Sequence, residues 1–208
     1  MLPLKTADDR PLTTSAVTSD YIAYFRGLLD QIDSTAIDAI VRVLRRARDD
    51  GATVYIAGNG GSASTAAHLA NDLGKATKRS GCPAFRVMCL SDNVSWLTAL
   101  GNDEGYERVF TGQLENFARA GDVLMVISAS GRSPNLVNAV EFARTNGVVT
   151  VGLLGFDGGV LRDRVDACLC LETEPGAYGP VETGHSLVCD IITTCLTFDR
   201  PSPAVVGL

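Results

Sequence analysis

A chain of 208 residues, 46% hydrophobic and 20% charged, can bury one sizeable core, and its length favours a single domain. A net charge of -6 excludes a nucleic-acid surface, which needs a clustered excess of Lys and Arg to neutralise phosphates. The one basic cluster, "RVLRRARDD", is closed by two aspartates and reads as the solvated face of a helix.

In chain order, residues 1–17 are polar with two prolines and read as an arm, and residues 200–208 read as a tail. The domain is expected over 18–199. "SDYIAYFRGLLDQI" and "STAIDAIVRVLRRARDDG" space their apolar residues at helical intervals, the second with Ser34 as cap and Gly51 as stop, so two helices precede the first strand. The pattern then alternates: strand "TVYIA", helix "SASTAAHLANDLGKA", strand "AFRVMCL", helix "NVSWLTAL" and helix "YERVFTGQLENFA". Strand "DVLMVIS", helix "SPNLVNAVEFARTNG", strands "VVTVGLLG" and "DACLCLE", and a closing helix from about Val181 to Phe198 complete the chain. Five strands that are apolar throughout, separated by amphipathic helices, predict an α/β fold: a three-layer α-β-α sandwich on a parallel sheet.

The six cysteines form no CxxC pair and suit small buried thiols in a reducing cytosol. The N-terminus lacks a basic start followed by an apolar core, and no run of about 18 apolar residues occurs. Neither export nor a membrane span is expected.

Two loops carry the chemistry. "GNGGS", with Asn59, Gly60, Gly61 and Ser62, and "SASGRS", with Ser128, Ala129, Ser130, Arg132 and Ser133, each follow a strand and open a helix. At the carboxyl edge of a parallel sheet such loops receive ligands. Glycine lets amide N-H groups approach an anion, and the helix N-terminus adds partial positive charge. Taken singly, each loop is also explained as a tight turn, with Ser133 capping the helix that Pro134 begins. Their pairing favours a phosphate. The first loop lacks GxGxxG spacing and no acidic residue closes the next strand, which disfavours a dinucleotide; neither loop has a P-loop lysine, which disfavours a nucleoside triphosphatase. Beyond the first loop, His68 and Asp72 stand four apart on one helical face, a spacing that suits a divalent metal such as zinc or a plain surface hydrogen bond.

"GNGGSASTAAHLANDL", "LGNDEGYERVF", "GDVLMVISASGRSPNLVNAVEFAR" and the helix after "YGPVETGH" together resemble the sugar isomerase (SIS) superfamily, from roughly Asp20 to Phe198. Within it they are most similar to the phosphoheptose isomerases. The resemblance implies a flavodoxin-like sheet, a cytoplasmic homotetramer with pockets built between subunits, and isomerisation of a phosphorylated sugar, such as sedoheptulose 7-phosphate, through an enediol. No nucleic-acid or membrane partner goes with it. The alternative is a non-catalytic SIS module that binds a phosphosugar or a protein.

By the same resemblance, Asn59, Gly60, Gly61, Ser62, Asn102, Asp103, Ser128, Ala129, Ser130, Ser133 and Glu182 contact substrate. Asp103 also reads as a turn aspartate before Gly105. The resemblance implies a metal, zinc first and manganese or magnesium as alternatives, on His68, Asp72, Glu182 and Asp190. Two of these depart from the family, which has a glutamine and a histidine where Glu182 and Asp190 stand, and the set is harder and more anionic for it. Asp72 occupies the place of the family's glutamate base and Asp190 that of its acid; His185, one turn after Glu182, is the substitute ligand or proton donor. Arg132 replaces a small amide and is expected to pair with the phosphate or a second anionic group.

Overall fold

The computed structural model describes residues 13–79 and 81–198. The tail expected over 200–208, and residues 1–12 of the expected arm, lie outside them.

Five parallel strands form one sheet: β1 (Thr53–Gly58), β2 (Arg86–Cys89), β3 (Val123–Ser128), β4 (Val149–Phe156) and β5 (Ala167–Glu172). Their spatial order is β2-β1-β3-β4-β5, the flavodoxin-like winding. Side chains of successive strand residues point to opposite faces, and both faces are buried. Val54 and Ile56 of β1, Val123, Met125 and Ile127 of β3, and Val151 and Leu153 of β4 pack into one apolar layer with α2 (Ser34–Asp49), α3 (Gly61–Asn71) and α7 (Tyr178–Thr197). Tyr55 and Ala57, Leu124 and Val126, and Leu154 pack into the other, with α5 (Thr111–Phe117) and α6 (Pro134–Thr145). The three-layer sandwich expected from the alternating periods is the fold observed.

Two elements flank this frame. Helix α1 (Thr14–Leu29) buries only Leu28 among its residues; it starts inside the segment expected as an arm because the Thr13 hydroxyl caps it, accepting from the Ala16 amide at 3.2 Å. Helix α4 (Val94–Asp103) follows β2 and buries none of its residues.

Other boundaries differ from expectation for local reasons. The segment 106–118 is a 3-10 turn at Tyr106–Arg108 followed by α5. Its break coincides with Gln113, whose side chain donates to the Val109 carbonyl at 2.8 Å, the acceptor a continuous helix would use. Helix α7 begins at Tyr178, three residues early, since Pro180 lies in its first turn, where no amide donor is required. Helix α3 runs into a π-helical turn at Asp72–Ala76.

Candidate functional site

Because β1 and β3 are neighbours, the loops that end them lie side by side at the carboxyl edge of the sheet. The first turns at Gly60 with φ 55° and ψ -122°, a conformation that glycine alone adopts readily, and α3 starts at the next residue. In the second, the Ser128 hydroxyl accepts from the Gly131 amide at 3.0 Å, folding the loop back on the strand end. Gly131 has φ 60°, and an added Cβ would lie 1.9 Å from the Gly158 carbonyl oxygen, so the turn after β4 buttresses this loop backbone to backbone.

A cavity of about 130 Å³ opens between the loops. Asn59 and Ser62 line it from the first loop, Ser128, Ala129, Ser130 and Ser133 from the second, and Tyr178 and Glu182 from α7. Ser133 precedes Pro134 at the start of α6, yet its side chain makes no capping bond. It lines the cavity, and a side-chain capping bond does not account for its place.

Glu182 also lines a second cavity, of about 340 Å³, with Gly61, Thr65, His68 and Ser186. The Thr65 and Ser186 hydroxyls, 3.3 Å apart, tie α3 to α7 along it. Glu182 lies flat over Gly61: a Cβ added there would meet the Glu182 Cδ and both carboxylate oxygens at 2.4 Å.

One turn along α3, His68 Nε2 stands 3.4 Å from Asp72 Oδ2, as their spacing predicted. The other Asp72 oxygen accepts from Asn71 Nδ2 at 3.1 Å. Asp190 reaches the pair from α7, and one donor atom from each of His68, Asp72 and Asp190 lies within 4.8 Å of the others. One imidazole nitrogen and two carboxylates suit a divalent cation, and the separation approaches the ~4 Å that two donors on one ion can have. The buried Cys189 thiol beside them is pushed up to about 12, by burial first and then by the charges of Asp190 and Asp72.

Three expectations require correction. Glu182 is not within the His68, Asp72 and Asp190 group; eight helical residues place it roughly 12 Å along α7 from Asp190, at the phosphate-loop end. His185 is fully buried. Its Nε2 is 2.9 Å from the Leu154 carbonyl, and Nδ1 has no partner among the described residues. Burial lowers its pKa to about 4 against the opposing effect of that hydrogen bond, and the side chain lines neither cavity and stands outside the group of His68, Asp72 and Asp190. Arg132 does not turn to the cavity. Its two terminal nitrogens each lie 2.6 Å from an Asp157 oxygen, and Nη1 also donates to the Ser130 carbonyl at 3.1 Å. The pair holds the Asp157 carboxyl well below the usual carboxylate range. Asn102 and Asp103, expected at a pocket built between subunits, stand exposed at the end of α4, bonded to each other at 2.7 Å.

Sequence reasoning missed Tyr178, which stacks edge-on against Phe156 with centroids 5.1 Å apart. It also missed Asn135 and Tyr106, which both bond the Asn59 carboxamide. Tyr178 precedes the helix start expected at Val181, so its place one turn before Glu182 was hidden; the other two depend on tertiary contacts.

The SIS domain family profile matches residues 20–155. A phosphoheptose isomerase of Pelodictyon phaeoclathratiforme is 39% identical over 185 residues, covering 86% of this chain and 87% of the relative. One from a Bradyrhizobium strain is 36% identical, covering 94% and 98%. Among solved structures, the phosphoheptose isomerase of Neisseria gonorrhoeae superposes with a TM-score of 0.81 at 26% identity, covering 88% of this chain and 98% of that one.

Proposed function

The chain belongs to the SIS domain family, and from that premise we propose that it is a sugar-phosphate aldose-ketose isomerase working through an enediol, with sedoheptulose 7-phosphate or a related phosphosugar as substrate. Relatives that carry the phosphoheptose isomerase name along most of their length support this reading over a non-catalytic binding module. The observation that carries it is the shared wall of the two cavities: Glu182 lines both the serine-glycine pocket and the cleft that holds His68. A phosphate seated in the first therefore extends its sugar into the second.

In this reading the phosphate accepts from loop amides at the N-termini of α3 and α6 and from the hydroxyls of Ser128, Ser130 and Ser133. Asp72 takes the proton from the carbon beside the carbonyl while Asp190, on the facing helix, gives a proton to the carbonyl oxygen, forming the enediol; Asp72 then delivers its proton to the former carbonyl carbon as the hydroxyl on the other carbon passes its proton to Asp190 and becomes the new carbonyl. Glu182, between the cavities, orients the sugar hydroxyls. That acid role for Asp190 belongs to the site without a metal; with one, His68, Asp72 and Asp190 would hold a divalent cation, zinc, or manganese or magnesium given two carboxylates, which would supply positive charge to the carbonyl oxygen in place of the proton from Asp190.

The same reading takes residues 18–199 as one unit of a cytoplasmic homotetramer. Asn102 and Asp103, which line neither cavity of their own chain, then serve a neighbouring copy, and the exposed apolar side chains of Ile22 and Val94 support packing between copies. No helix among the described residues is long and apolar enough to cross a membrane.

The test is incubation with ketose and aldose phosphates in deuterated water. Deuterium at the carbon next to the carbonyl is expected with at least one of them. Asp72→Asn should abolish this exchange and keep stabilisation by phosphate, whereas Ser130→Ala should lose that stabilisation. Exchange at the unaltered rate in Asp72→Asn removes Asp72 as the base. No exchange with any sugar returns the chain to the binding-module reading.

A further inference from the structure

Asn135, the second residue of α6, is 1% exposed and lines neither cavity. Its carboxamide faces that of Asn59 across a sequence separation of 76. Asn59 Nδ2 donates to Asn135 Oδ1 at 3.0 Å, and Asn135 Nδ2 donates back to Asn59 Oδ1 at 2.9 Å. Tyr106, from the turn after α4, donates its hydroxyl to the same Asn59 Oδ1 at 3.0 Å. The Asn59 oxygen thus takes two donors and one Asn59 N-H is committed to Asn135. One N-H is left for the cavity that Asn59 lines.

This arrangement compensates for a soft backbone. Asn59 lies between Gly58 and Gly60, and the facing loop turns at Gly131 with φ 60°, so glycine conformation by itself leaves the gap between the loops poorly fixed. A reciprocal amide pair sets that gap from within the protein. It also sets the sign of the group offered to the ligand: a carboxamide turned about χ2 presents its oxygen, which repels an anion, where its N-H attracts one.

We propose that Asn135 is a positioning residue of the anion site, which acts through Asn59 by clamping the two loops together and holding Asn59 as a donor, with Tyr106 closing the clamp from outside. The inference rests on the phosphosugar reading above and adds to it the residues that select an anion at its first loop.

The experiment is a double-mutant cycle in the full chain, read as the dissociation constant of inorganic phosphate and as kcat and KM for the phosphosugar that exchanges. Asn135→Ala should weaken phosphate binding by roughly five- to tenfold, the effect of losing one buried hydrogen-bonded pair. KM should rise by the same factor, with kcat within about twofold. In an Asn59→Ala background, Asn135→Ala should add nothing further. Tyr106→Phe should weaken binding by about two- to threefold, again only when Asn59 is present. Tyr106 is 61% exposed, so this variant decides the matter should Asn135→Ala fail to fold. Factors that multiply across the cycle, or unchanged phosphate affinity in the single variants, overturn the clamp while leaving the isomerase reading intact. A wild-type chain that binds no phosphate overturns both.

Discussion

His185 offers a quantitative test of the interior. It is 0% exposed, bonded through Nε2 to the Leu154 carbonyl, with burial lowering its pKa from 6.5 to about 4. In the unfolded chain the imidazole regains its ordinary value. Between about pH 6.5 and pH 4 the unfolded state therefore binds a proton that the folded state refuses, so stability rises with pH across this window and is lost as pH falls through it. At about 1.4 kcal/mol per pH unit, the loss attributable to this one side chain is about 3 kcal/mol, a large share of a typical domain's stability. The perturbation is His185→Gln, which keeps a donor for Leu154 and cannot titrate. Urea denaturation at about pH 7 and about pH 4 should show the wild type losing about 3 kcal/mol more than the variant. Carboxylates elsewhere contribute equally to both proteins and cancel in the difference. Parallel stability curves for the two proteins would refute the reasoning, and with it the view that His185 stays neutral inside the fold.

Gly61→Ala places a methyl group 2.4 Å from the Glu182 carboxylate, which can swing away; since alanine suits a helix start, the melting temperature should hold while turnover falls on the order of 10- to 100-fold. Retained turnover in that variant would show that the carboxylate over Gly61 has no part in the reaction. Gly131→Ala meets backbone instead, at 1.9 Å from the Gly158 oxygen and with φ 60°, so it should cost about 1–3 kcal/mol by thermal unfolding and also abolish phosphate-dependent stabilisation. Thiol labelling followed by mass spectrometry should modify exposed Cys195 first and spare Cys89 and Cys189, which burial pushes up to about 11 and 12; labelling of all three at one rate would contradict the burial assigned to them.

The sheet was legible because its strands are apolar on both faces, as "VLMVIS" illustrates, and a helix intervenes between most of them. What made two loops into one site, the adjacency of β1 and β3, follows from the winding order. The His68 and Asp72 pair was legible because helical spacing alone brings it together. The role of His185 was misjudged because spacing does not say which side of α7 meets the sheet. From Glu182, three residues turn a helix about 60° one way and eight turn it about 80° the other, so His185 faces the sheet while Asp190 faces the end of α3. Arg132 was misjudged because its partner, Asp157, comes from the end of the next strand, 25 residues away. The Asn59 and Asn135 pair joins Asn59, expected only as a substrate contact, to a residue that reads as an ordinary helix-start amide.

These placements leave an imbalance of charge with a consequence. Arg132 is engaged by Asp157, so the polar groups that line the pocket between the two loops are hydroxyls, an amide and one carboxylate, and none is a full positive charge. The end proposed to react gathers Asp72 and Asp190 around a single imidazole, and Glu182 lines both cavities. Binding a phosphate dianion there adds negative charge to a cleft already rich in it, and helix N-termini supply only partial charges to offset it. A divalent cation at His68, Asp72 and Asp190, if the proposed site holds one, would offset that charge. Its affinity and that of the phosphosugar must then rise together, by the same factor in each direction. Calorimetric titration with manganese, with and without saturating phosphosugar, should show that reciprocal gain at about fivefold or more, and Asp190→Asn should diminish it by weakening the cation's hold. Two affinities that ignore one another would mean that the acid cluster and the phosphate loops do not serve the same ligand.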